Sequence, residues 1–125
     1  MSEDSTQELP QLVEVHVSTP DPESAQRIAA DLVARQLAVC VQVLGPMASV
    51  YSWKGVVQRS QEYLLLAKTT AQAFPRVAEV VRHQHPYDIP EVIAVPISHA
   101  LAEYGRWVRK HSDGIDDEEL LVRRE

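Results

Sequence analysis

Hydrophobic and polar positions alternate along QLVEVHVST. Leu12, Val13, Val15 and Val17 are interleaved with Glu14 and His16, the pattern of a strand with one buried face. Thr19-Pro20-Asp21-Pro22 breaks that pattern. Asp21 suits a helix N-cap, and Pro22 suits the first helical position, where its missing N–H would have no partner anyway. Ala25, Ile28, Ala29, Leu32, Val33 and Gln36 then recur at helical spacing and predict a helix over 22–36. LAVCVQVL predicts a strand over 38–44, interrupted at Gly45-Pro46. Residues 48–53 and the run VVQRSQEYLLLAKT flank the turn signal Lys54-Gly55, predicting a long hairpin. Thr69 and Gln72 have capping-box spacing ahead of the helical stripe Phe74, Val77, Ala78 and Val81, and Pro75 weakens the first turn.

The segment His85-Pro86-Tyr87-Asp88-Ile89-Pro90 cannot continue a helix, because each proline drives its predecessor toward extended geometry. EVIAVPI predicts a short buried strand, with Pro96 at a sheet edge or at the strand's end. Ser98 is placed to cap a last helix carrying Leu101, Tyr104, Trp107 and Val108. The order is βαββαβ plus a C-terminal helix. That is an α+β, ferredoxin-like sandwich whose sheet carries both helices on one face. Residues 64–67 and 39–41 are apolar on both sides, more than a monomer with one wet face can bury. Association through the sheet is expected.

Length and charge refine this picture. A chain of 125 residues, 45% hydrophobic and 24% charged, is one domain of ordinary globular composition. The net charge of -6 is concentrated at the ends: residues 1–10 and 113–125 together carry -7, and residues 11–112 carry +1. The expected organisation is a disordered tail over 1–10, a folded domain over 11–112 and an acidic tail over 113–125, with 120–122 available as a last docked turn. The acidity argues against nucleic acid as partner. No secretory signal and no membrane-spanning run is visible, so a cytoplasmic protein with no membrane partner is expected. Cys40 is the single cysteine, which excludes an intrachain disulfide framework.

The chain has no nucleophile-elbow, zincin, P-loop or dinucleotide motif, and its four glycines leave little for a phosphate-cradling loop. Cys40 reads as an inert core thiol. His83 and His85, two apart, would share a side if the segment is extended and could then chelate copper, zinc or nickel; the bland alternative is two solvent-facing histidines at a helix end. His16, His99 and His111 read as structural or surface residues. Tyr51, Trp53, Lys54, Glu62, Tyr63 and Lys68 lie on one hairpin, and Tyr87, Asp88 and Glu91 bracket the rigid X-Pro segment. Their convergence would build a small-ligand pocket from Tyr51, Trp53, Glu62, Lys68, Tyr87 and Glu91, or else a polar-aromatic oligomer interface.

Four stretches in order carry a resemblance: STPDPESAQRIAADLVARQLAVCVQV, VYSWKGVVQRSQEYLLLAKTT, HPYDIPEVIAVPI and EYGRWV. Over residues 13–110 the chain resembles the CutA family of divalent-cation tolerance proteins. The resemblance implies a ferredoxin-like subunit in a tight homotrimer, with hairpin strands pairing between neighbours, in an architecture similar to the trimeric PII signalling proteins. It implies a link to tolerance of copper and other divalent cations, with no enzymatic reaction. Metal-binding bacterial relatives place a cysteine near the end of the first strand and an adjacent histidine pair before Pro-Tyr. This chain has Val17 and Gln84-His85 there, so His85 matches and His83 would have to substitute. The function expected is a non-enzymatic trimer holding a divalent cation such as copper, or a small effector, in intersubunit clefts. The alternatives are a trimeric scaffold that docks another protein and a PII-like ligand module. An RRM-like RNA binder lacks the aromatic residues its first strand would need.

Overall fold

Asp21 is extended (φ -147°, ψ 159°), and its carboxylate accepts the Ser24 N–H at 2.7 Å, so the first helix begins where the sequence puts it. In the computed structural model, which describes residues 9–115, the order is β1 (Leu12–Thr19), α1 (Pro22–Ala34), β2 (Cys40–Trp53), β3 (Val56–Thr70), α2 (Phe74–Gln84), β4 (Val92–Pro96) and α3 (Ala102–Lys110). The four strands form one antiparallel sheet in the order β2-β3-β1-β4. The ferredoxin-like expectation holds. Val13, Val15, Val17, Leu65 and Ala67 project from the two central strands into a core shared with Ala25, Ile28 and Leu32 of α1 and Val77 and Val81 of α2. The opposite face carries no part of that core. By pairing register it presents Glu14, His16, Leu44, Leu64, Leu66, Ile93 and Val95.

Several local expectations are corrected. The first helix stops at Ala34, and Gln36 adopts a left-handed conformation (φ 56°) instead of closing the helical stripe. Thr69 does not cap: its hydroxyl donates to the Leu37 carbonyl at 2.6 Å, and Thr70 accepts the Ala73 N–H at 3.3 Å. A 3-10 turn (Ala71–Ala73) follows, and Pro75 fits the first turn of α2, where its N–H would have had no partner. Ser98 caps nothing. Leu101 precedes α3 without a side-chain cap, and the Ser98 hydroxyl pairs with His99 Nδ1 at 2.9 Å. Cys40 is not a core thiol but the partly exposed first residue of β2, opposite Lys68 on the helix-free face. β4 is an edge strand as Pro96 suggested, yet it is not buried: Ile93 is 50% exposed and Val95 41%. The expectations placed on residues 1–8 and 116–125 lie outside the described residues.

Gly45-Pro46 bends the hairpin without ending its strand. Leu44 faces Leu64, but Met47 faces Glu62, so β2 carries one extra residue against β3. A Cβ on Gly45 (φ +152°) would lie 2.5 Å from Tyr63 Cδ2, so the bulge needs glycine. The extra residue reverses which positions of β2 share a face. Cys40, Gln42 and Leu44 occupy the helix-free side before it, and Met47, Ser49, Tyr51 and Trp53 occupy that side after it. Lys54 (φ 51°) and Gly55 (φ 79°) then close the hairpin as a two-residue turn.

Candidate functional site

The bulge aligns Tyr51 and Trp53 with Glu62 of β3 and Ser18 of β1, all on the helix-free side of the sheet. The 86–91 segment folds over that end and encloses an open groove of about 750 Å³. Tyr51, Trp53, Glu62, Tyr87 and Glu91, five of the six residues expected in a pocket, line it; Ser18, Ser49, Gln58 and Asp88 join them. Lys68 does not. Its ammonium donates to Gln42 Oε1 at 2.8 Å and lies 3.2 Å from Glu14 Oε2, further along the sheet. Glu14 also accepts from His16 Nε2 at 2.7 Å. The His16 hydrogen bond, assisted by Lys68 and opposed by burial, holds the Glu14 carboxyl below its ordinary value.

His85 fixes the lid of the groove. Its ring is buried, with Nε2 2.6 Å from the Ser18 carbonyl and Nδ1 accepting the Tyr87 N–H at 3.1 Å. Because Nδ1 accepts, Nε2 carries the ring proton and donates the hydrogen bond to the Ser18 carbonyl. The His85 and Tyr87 rings meet at a tilt of 52° with centroids 5.0 Å apart, and the Tyr87 hydroxyl donates to Glu62 Oε2 at 3.3 Å. Ser18 Oγ donates to Glu91 Oε1 at 3.4 Å. The 86–91 segment is thus tied to β1 through His85 and Glu91, and to β3 through Tyr87.

His83 and His85 are not brought together as a chelating pair. His83 is in the last turn of α2, exposed, with Nε2 3.7 Å from Glu79 Oε1. Both nitrogens of His85 are engaged within its own chain. Among the described residues no three His, Cys, Asp or Glu side chains group to hold a metal ion. The two positions where the sequence resemblance implied metal ligands hold Val17, fully buried in the core, and Gln84, whose Nε2 donates to Asp31 Oδ2 at 2.6 Å.

Burial, then the Glu62 charge and its hydrogen bond, push the Tyr87 phenol above the ordinary tyrosine range. The folded state therefore prefers neutral Tyr87. This contribution to stability is complete below the unfolded tyrosine pKa and is lost as pH rises through the higher folded value. The tyrosinate absorbance difference between the wild type and Tyr87→Phe should titrate later than free tyrosine. Glu62→Gln should move that midpoint down only part of the way, since burial is the largest cause. A midpoint at or below the free value would contradict the Tyr87–Glu62 contact.

The comparisons with known proteins agree with this fold. Residues 13–111 match the family model for the CutA1 divalent ion tolerance protein. A divalent-cation tolerance protein CutA of Thermus thermophilus is 43% identical over 98 residues, covering 78% of this chain and 95% of that one. The chloroplastic protein CutA of Arabidopsis thaliana is 37% identical over 107 residues, 86% of this chain but 58% of that relative's length. The solved structure of the divalent cation tolerance protein Cut A1 from Thermus thermophilus superposes with a TM-score of 0.80 at 42% identity, covering 81% of this chain and 98% of that one. With the match running from β1 to the end of α3, the chain belongs to the CutA1 divalent ion tolerance family.

Proposed function

We propose that this protein is a non-enzymatic homotrimer of the cation-tolerance family that binds a small effector in clefts between subunits, in the manner of a PII-like ligand module. The observation that carries this is the position of the groove. Ser18, Tyr51 and Glu62 line it from the helix-free side of the sheet, the same side that presents Leu44, Leu64, Leu66 and Ile93. A neighbouring subunit covering those apolar residues would sit beside the groove, so ligand and assembly would be felt together. No helix among the described residues is long and apolar enough to cross a membrane.

A divalent cation such as copper is the second ligand reading, favoured by the family's name and by the accessible ring of His83. His85 would join it only by giving up the Ser18 carbonyl. Calorimetric titration of the metal-free protein with copper, zinc, AMP and choline tests both readings. Heat from AMP or choline that disappears in Tyr51→Ala supports the groove. Copper heat that disappears in His83→Ala supports the metal reading instead. Silence from all four would leave a scaffold that docks another protein.

A further inference from the structure

The groove has a chemical bias, and its lining indicates what it takes. Three carboxylates, Glu62, Asp88 and Glu91, and three rings, Tyr51, Trp53 and Tyr87, face it, and among the described residues neither lysine nor arginine lines it. Building on the groove as a ligand site, we propose that its occupant is a small organic cation: an ammonium group against the rings, with the carboxylates as counter-charge.

Glu62 is the strongest single argument. It is only 5% exposed, yet among the described residues its one hydrogen-bond partner is the neutral Tyr87 hydroxyl, and no lysine or arginine pairs with it. A cation in the groove would give this carboxylate the counter-charge that no described lysine or arginine supplies. The rings point the same way. A cation within about 6 Å of a Trp or Tyr ring is attracted by the negative face of the π system. Trp53 already holds one: the Lys54 ammonium at the hairpin turn lies 5.8 Å from its centroid. Lys54 is the nearby positive group, standing outside the lining, and a bound ammonium would compete with it for that ring.

The same lining disfavours the alternatives. A phosphate would meet three carboxylates and no lysine or arginine in the lining; its side-chain donors would be neutral hydroxyls, the Gln58 amide and the Trp53 indole N–H, with the Ser18 and Tyr87 hydroxyls already given to Glu91 and Glu62. A bare metal ion would find no grouped ligand set among the described residues and would gain little from aromatic walls. A volume near 750 Å³ lies within the span usual for metabolite-sized ligands, about 300–1,000 Å³.

The test uses choline, its uncharged carbon isostere dimethylbutanol, and AMP, each titrated against the full chain. Trp53 fluorescence is read in a Trp107→Phe background so that only the groove reports. Choline is expected to bind roughly tenfold tighter than the isostere. Glu62→Gln should remove that preference while leaving the isostere unchanged. Asp88→Asn, on an exposed part of the 86–91 segment, should reduce it and serves if the Glu62 variant fails to fold. Equal or tighter binding of the isostere or AMP would overturn the cation assignment and leave the groove a ligand site. No Trp53 response to any of the three would overturn the cation assignment and the groove reading together.

Discussion

Leu65→Ala is expected to destabilise the subunit by about 2–5 kcal/mol, the range for truncating a fully buried leucine. Leu65 is wholly buried on β3, next to the centre of the sheet, with Val17 of β1 on one side and Val43 of β2 on the other. It belongs to the core cluster that also contains Ile28 and Leu32 of α1 and Val77 of α2. Removing its isopropyl group takes contacts away between the sheet and both helices. Backbone ladders on either side of β3 hold the strands in register, so the void cannot readily close. Urea unfolding at one fixed protein concentration is the appropriate measurement, because stability of an assembling chain depends on concentration. A loss below about 1 kcal/mol would mean that the core collapses around the vacancy or that stability resides chiefly in subunit contacts.

The order of elements could be read from the chain because each signal was local and its physics unopposed. Alternation over 12–17 was a strand, and Asp21-Pro22 opened a helix. Lys54-Gly55 makes a hairpin turn with both residues at positive φ, a conformation glycine takes without steric cost. Failures came where two local solutions competed and a distant contact decided. Thr69 had good capping spacing, but a buried hydroxyl must find a partner. The Leu37 carbonyl, brought close by folding, took it. Neighbouring Thr70 then supplied the cap. Gly45-Pro46 has the composition of a strand break, yet with β3 alongside, a one-residue bulge keeps the ladder intact.

The candidate site was legible in composition but not in geometry. Aromatic and acidic residues on the hairpin and on the X-Pro segment suggested a pocket, and five of six meet there. Lys68 shares the hairpin with Glu62, which is what suggests it for the pocket. Six residues along a strand at about 3.4 Å each is about 20 Å, too far for one small pocket. Ser18, Ser49 and Gln58 gave no signal: small polar residues on strands are ordinary, and the bulge decides which face each residue of β2 occupies. His85 looked like a ligand because histidine near histidine invites that thought. Its actual partners, Ser18 and Tyr87, depend on how the segment after α2 crosses β1, which no spacing reveals.

Leu44→Lys combined with Ile93→Lys is expected to convert the proposed trimer to single subunits while leaving each one folded. The wild-type chain should give a light-scattering mass near three times its 14.0 kDa. The two positions are on the opposite edge strands, β2 and β4, on the helix-free face, and are 54% and 50% exposed in the isolated subunit. A lysine at either position can keep its ammonium in water, so the subunit has no reason to unfold. If a neighbour covers that face, each ammonium is buried without a counter-charge, at a cost of several kcal/mol. Every 1.4 kcal/mol, or about that, is tenfold in the association constant, so two such residues lower it by several orders of magnitude. Far-UV circular dichroism should match the wild type. A wild-type mass near one chain would remove the trimer outright. A double variant that keeps the wild-type mass would move the interface off this face, because neither exposed edge could then be covered.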